Sequence, residues 1–191
     1  MATERRGPWL RLGSRIVHRN PWYQVRRDRI VRPDGRPGAY YVIRTKGPSV
    51  FTVALDDRSR VCLLRIYRYP TDRDSWEVPG GNSEGQAPLA AAKRELLEET
   101  GLRARTWRKA GVWQTVNGLS DELSYVFVAS TLRASAGQRQ LEEGIREVRF
   151  VAWSVLARMV RTGELSDGQS IVALVQAASL LRRPFPWGAA R

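Results

Sequence analysis

Polar and apolar residues alternate through the first quarter of the chain. Ser14–His18, Trp22–Val31 and Ala39–Arg44 read as strands. Val50–Asp56 and Val61–Tyr67 follow, and the continuously apolar Val61–Leu64 predicts a central strand. Turn signals separate these runs: Pro33-Asp34-Gly35 with Pro37-Gly38, Lys46-Gly47-Pro48, and Asp56-Asp57. Pro70 to Asp74 breaks the pattern, and Trp76-Glu77-Val78-Pro79 leads into a glycine loop. A helical spacing begins near Ala87, with Pro88 tolerated in the first turn. Leu89, Ala92, Leu96 and Leu97 predict its buried side, leaving the glutamates on another face.

Further along, Thr106–Gln114, Leu123–Ala129 and Val148–Trp153 read as strands, and Trp153–Arg161 and Gln169–Leu181 as helices. Asp167-Gly168 marks the start of the last helix. Residues 1–12 predict a poorly ordered start. The order of elements divides the chain into a β-rich section over residues 1–45, a mixed β/α body over 46–183 and a tail over 184–191.

Composition narrows the class. A chain of 191 residues is long enough for one domain with a sizeable core and a small appended element. It has no apolar run of membrane-spanning length, and the N-terminal stretch lacks the apolar centre of a secretory signal, so a soluble cytoplasmic protein is expected. The single cysteine, Cys62, lies in an apolar run and reads as a core residue of a reducing compartment. The lone histidine, His18, has no Ser or Cys constellation around it. The net charge of +13 raises the possibility of a polyanionic partner such as RNA. Against that, the basic residues are scattered and nearly all arginine, and no RRM, KH or zinc-knuckle signature is present.

The densest chemistry is in Arg94-Glu95-Leu96-Leu97-Glu98-Glu99-Thr100-Gly101-Leu102. Glu95, Glu98 and Glu99 fall at i, i+3 and i+4, one face of a helix. Three anions so close repel one another, and a hard divalent cation such as Mg²⁺ removes the conflict. Arg94 can hold a carboxylate or meet the backbone of the loop. Gly101 suits the left-handed residue that ends a helix.

With Gly80 in the loop before it, this stretch resembles the Nudix box, G-x5-E-x7-R-E-U-x-E-E-x-G-U with U aliphatic. Gly80, Arg94, Glu95, Leu96, Glu98, Glu99, Gly101 and Leu102 match, and Gln86 stands where the pattern has its first glutamate. If Gly81 is taken as the box glycine, the loop is one residue short. The resemblance implies the Nudix fold, an α/β/α sandwich with a mixed sheet. The N-terminal section resembles the extra antiparallel element of the ADP-ribose-pyrophosphatase-like branch, which helps build a homodimer and part of the substrate site.

The same resemblance implies a Mg²⁺-dependent hydrolase, with Mn²⁺ as a substitute, that cleaves the pyrophosphate of a nucleoside diphosphate derivative. ADP-ribose is the first expectation, giving AMP and ribose 5-phosphate. Rival readings are hydrolysis of nucleoside triphosphates, other nucleotide sugars or capped RNA, and a binding module with weak or no catalysis, supported only by Gln86. Metal ligands are expected at Glu95, Glu98 and Glu99, with the carbonyl of Gly80. The base is expected at Glu142 or Glu143, with Glu98 or Glu122 next in line. Arg68 resembles the phosphate- or ribose-binding arginine of ADP-sugar hydrolases. Trp22 and Tyr23 offer aromatic faces for adenine, whereas Trp76 reads as a packing residue. The loop Asn117–Glu122 falls where related enzymes close over the terminal ribose.

Overall fold

The computed structural model describes residues 3–135 and 144–183. In chain order the elements are β1 (Glu4–Arg6), β2 (Trp9–Arg19), β3 (Tyr23–Val31), β4 (Pro37–Thr45), β5 (Ser49–Ala54), β6 (Val61–Arg68), β7 (Arg73–Glu77), β8 (Gly80–Asn82), α1 (Pro88–Thr100), β9 (Leu102–Gln114), β10 (Leu123–Ala134), β11 (Ile145–Val151), α2 (Trp153–Thr162) and α3 (Gly168–Leu180). They form three sheets, ordered β1-β2-β3-β4, β8-β5-β10-β9 and β11-β6-β7. Strands β5 and β10 pair in parallel, which makes the second sheet mixed.

That mixed sheet is the centre of an α/β/α sandwich, and alternation along β5 explains why. Phe51, Val53 and Leu55 join Val126 and Val128 of β10 on one face, against Ala173, Leu174 and Ala177 of α3. Val50 and Ala54 point the other way, with Phe127 and Ala129, toward Ala91, Ala92 and Leu96 of α1. A strand covered on both faces has no polar side to show, hence its apolar sequence. Burying a leucine such as Leu174 stabilises the sandwich by about 1.5–3 kcal/mol.

Two expectations are corrected by the fold. Much of residues 1–12, expected to be poorly ordered, forms β1 and the start of β2; Glu4, Arg5 and Arg6 pair with Arg11, Leu10 and Trp9. Backbone pairing orders this stretch, a source of stability that a polar, arginine-rich sequence does not advertise. In α1, the inward stripe is Ala91, Ala92, Glu95, Leu96, Glu99 and Thr100. Leu89, in the first turn at the margin of that stripe, is 37 % exposed. The glutamates are therefore not on a separate face: Glu95 and Glu99 are turned inward with Leu96.

Candidate active site

Helix α1 aims its carboxylates because of how it starts and stops. Ala87 is extended and Pro88 opens the first turn. Gly101 ends it at φ 69°, donating its N–H to the Leu97 carbonyl at 2.8 Å. Between these ends Glu95 is 6 % exposed and Glu99 3 % exposed. Both converge on Gly80 and Gly81, which the sequence pattern placed in a loop and which form the short strand β8 paired with β5. Glu99 Oε2 accepts from Gly80 N at 2.8 Å. A Cβ on Gly81 would stand 2.4 Å from Glu95 Oε1, and one on Gly80 would stand 2.4 Å from the Val50 carbonyl oxygen. Gly80 is closed in by backbone and a ring, and Gly81 faces the end of Glu95, so this backbone lies directly on the two carboxylates. The ambiguity over which glycine belongs to the motif has a structural counterpart, since both are needed.

Arg94 does both of the things open to it. Its Nη2 donates to Glu95 Oε1 at 2.8 Å and to the Asn82 carbonyl at 3.0 Å, and its Nη1 donates to Glu98 Oε2 at 3.1 Å. Burial alone would lower its pKa; the charges of Glu95, Glu98 and Glu84 overcome that and raise it. Arg94 thus clamps helix to loop and spreads three nearby negative charges. Among the described residues, no three acidic, His or Cys side chains gather around one point. The donors are all oxygen, two of the carboxylates are buried, and the backbone beside them is bare of side chains. That set suits a hard divalent cation.

Arg68, at the end of β6, makes a bidentate pair with Glu77 of β7: Nε to Oε1 at 2.9 Å and Nη2 to Oε2 at 2.6 Å. The hydrogen bonds that Arg68 donates to Glu77 raise its pKa against burial, helped by the charges of Glu77, Glu99 and Asp167. Glu77 is therefore a buried carboxylate of the same neighbourhood, three residues before Gly80, that sequence reasoning passed over. Arg73, Ser75 and Glu77 share one face of β7, with Asp74 and Trp76 on the other.

Trp22 is 74 % exposed. The Asn20 side chain, accepting from Trp22 N at 2.9 Å and Tyr23 N at 2.8 Å, fixes the turn that presents it. It walls a cavity of about 400 Å³ with Tyr23, Ile43, Asn82, Glu84 and Glu122, so the N-terminal sheet reaches the glycine loop. Arg68 lies in a different cavity. Glu122 accepts from Ser49 Oγ at 2.6 Å. Its loop runs along the edge of β4, where Ile43 N donates to the Leu119 carbonyl at 2.9 Å and Tyr40 Oη to the Gly118 carbonyl at 2.8 Å. Gln86 is exposed, and its side chain makes no hydrogen bond to another described residue. Trp76 packs against the core, with Arg149 over its ring at 4.5 Å. Cys62 is fully buried, and burial with the Glu99 charge pushes its thiol up to about 12. Glu142 and Glu143 lie outside the described residues.

A mixed sheet between helices, with a glycine loop laid on the carboxylates of α1, defines a class, and the comparisons agree with it. The family model for the NUDIX domain matches residues 45–173, and that for the nucleoside diphosphate sugar hydrolase N-terminal domain matches residues 9–43. An ADP-ribose pyrophosphatase of Mycobacterium tuberculosis is 30% identical over 167 residues, 86% of this chain and 80% of the relative. A CMP-5'-(N-acetyl-N-hydroxy-3-aminopropyl)phosphonate hydrolase of Streptomyces rubellomurinus is 27% identical over 173 residues, 90% of this chain and 83% of the relative. The fold is shared with an ADP compounds hydrolase of known crystal structure, at TM-score 0.77 and 20% identity, covering 90% of this chain and 93% of that one. The chain belongs to the Nudix family, in the ADP-ribose pyrophosphatase-like branch, as a Nudix pyrophosphohydrolase. The reading as a binding module without catalysis falls away with that assignment. Among the described residues, no helix is long and apolar enough to cross a membrane.

Proposed function

We propose that this protein hydrolyses the pyrophosphate bond of ADP-ribose, giving AMP and ribose 5-phosphate, with Mg²⁺ as its metal and Mn²⁺ as a substitute. The observation that carries the reading is the convergence of buried Glu95 and Glu99 on the bare backbone of Gly80 and Gly81. Glu95, Glu98, Glu99 and the Gly80 carbonyl would hold the metal, which neutralises pyrophosphate oxygens and makes a bound water more acidic. Arg94 keeps Glu95 and Glu98 in place, and Arg68 meets a phosphate oxygen. Exposed Trp22 offers its ring to the adenine. The ADP-ribose pyrophosphatase of M. tuberculosis, similar over most of its length, supports the choice of substrate.

The match of residues 9–43 to a nucleoside diphosphate sugar hydrolase module favours a second reading, in which the distal group is another sugar. Exposed Ile16, Val17, Tyr40 and Tyr41 of the N-terminal sheet support a homodimer built through it. The single buried thiol, free of any disulfide, supports a cytoplasmic location.

A screen of ADP-ribose, NADH, sugar nucleotides, nucleoside triphosphates and capped RNA with Mg²⁺ or Mn²⁺ tests the substrate. ADP-ribose should give the highest kcat/KM, and a clear preference for any other compound would replace it. The base is Glu142 or Glu143. One of Glu142→Gln and Glu143→Gln should lower kcat by about 10²–10⁴-fold, the range for losing a general base, and the other should be nearly silent. Normal kcat in the double variant would move the role to Glu98 or Glu122.

A further inference from the structure

Beyond Arg68 the molecule has a second concavity, of about 430 Å³, between the β6–β7 hairpin and the start of α3. Strand β7 supplies one wall. Alternate residues share a face, so Arg73, Ser75 and Glu77 all line the cavity while Asp74 and Trp76 face away. Across the ladder Arg68 stands directly opposite Arg73. Two like charges at directly opposed positions destabilise a sheet. Glu77 neutralises Arg68 through its bidentate pair. Arg73 has no carboxylate partner among the described residues; its Nη2 reaches only Ser166 Oγ, at 3.4 Å.

Ser75, 8 % exposed, also lines the cavity, and its hydroxyl can donate to or accept from a ligand that enters. The remaining carboxylate on the wall, Asp167, is engaged: it caps α3, accepting from Ser170 N at 2.7 Å. The polar groups left facing the space include the Arg73 guanidinium, which can only donate, and the Ser75 hydroxyl and Gln169 amide, which can donate or accept.

We propose that this cavity is a subsite for an anionic group on the far moiety of the substrate, of phosphomonoester type, bound by Arg73 and Ser75. The assignment rests on the pyrophosphate hydrolysis proposed above. Arg68 links the two sites: it lines the cavity, and its partner Glu77 stands three residues before Gly80. A substrate with its pyrophosphate at Arg68 and the α1 carboxylates would place its distal sugar toward Arg73. A guanidinium meets phosphate oxygens through paired donors, so it suits this ligand better than a neutral sugar alone.

The test compares ADP-ribose with ADP-ribose carrying a phosphate on its terminal ribose, using the full chain with Mg²⁺. Wild type should show a kcat/KM at least about tenfold higher for the phosphorylated compound, the scale of a charge-assisted contact. Arg73→Gln should bring the ratio to within about threefold of unity, and Ser75→Ala should lower it by less. The ratio of Kd values, read by calorimetry on the Glu99→Gln background, should follow the same order without depending on turnover. Equal use of the two compounds by wild type, or a preference that survives Arg73→Gln, would overturn the subsite. Hydrolysis of ADP-ribose without any preference sinks the subsite alone. A Kd preference lost in Arg73→Gln, with no hydrolysis of either compound, supports the subsite and sinks the pyrophosphatase reading.

Discussion

The sheet β8-β5-β10-β9 and the sheet β1-β2-β3-β4 each have four strands, yet different physics holds them. The first is covered on both faces, with Val50, Val53, Ala54, Val126 and Ala129 fully buried. Ile30 is the one large apolar side chain buried among the described residues of the second. The second sheet instead buries an ion pair, Arg26 Nε to Asp28 Oδ1 at 3.0 Å, and leans on the loop after β9 through Ile43, Tyr40 and Arg44. Burial supplies stability without direction, whereas paired polar groups supply direction with little net stability. The body is therefore the part that holds the catalytic geometry. The N-terminal sheet is the adjustable part, set down on the glycine loop with Trp22 at its tip.

This contrast can be broken experimentally, beginning with the largest effect. Cys62 lies deep in the body, and its thiol is pushed up to about 12. At pH 8 the native protein should react with iodoacetamide at least about 10³-fold more slowly than the unfolded chain, from thiolate fraction alone. Labelling at the unfolded rate would mean that the body opens freely. Next in size, Leu174→Ala removes a fully buried side chain and should cost about 2–5 kcal/mol in denaturant unfolding. Tyr41→Ala, on the exposed side of the N-terminal sheet, should stay within about 0.5 kcal/mol for the monomer. Equal costs would erase the distinction between the two sheets.

The ion pair gives the most local test. Burial pushes the Asp28 carboxyl up, but hydrogen bonds from Ser14 and Arg26 and the charges of Arg26 and Arg11 leave it below the usual range. A depressed pKa stabilises the folded state above the unfolded value, and that contribution disappears as pH falls through the folded one. Asp28→Asn should therefore speed hydrogen exchange across residues 9–45 at pH 7, with little change in the body. The difference from wild type should shrink below about pH 4. Uniformly faster exchange throughout the chain would show that the two sheets unfold as one unit.

The sequence made the body easy to read and the N-terminal sheet harder. The buried strands β5 and β6 and the helix with Glu95, Glu98 and Glu99 carry strong local signals, and Gly101 ends α1 where the pattern placed it. Arg94 was legible as a clamp because its spacing offers only a carboxylate or the loop backbone. The start of β2 was not legible, because its order comes from pairing with β1 and β3 and not from an apolar stripe. Strand β7 was hidden behind Pro70 and a short turn, which concealed Glu77 and the opposed Arg68–Arg73 pair. The inward turn of Glu95 and Glu99 was missed for another reason. Buried carboxylates run against the ordinary amphipathic pattern; here the Arg94 guanidinium pairs with Glu95 and the Gly80 N–H with Glu99.

The central claim is that the carboxylates of α1 hold the divalent metal at which the pyrophosphate is cleaved. The most direct measurement is the rate of ADP-ribose hydrolysis against Mg²⁺ concentration for wild type and Glu99→Gln. Circular dichroism and melting temperature should establish that both are folded. Wild type should saturate with Mg²⁺. Removing one charged ligand should cost several kcal/mol of transition-state stabilisation, a loss of about 10³-fold or more at saturating metal and substrate. Turnover near the wild-type rate in Glu99→Gln at saturating Mg²⁺ would contradict the claim.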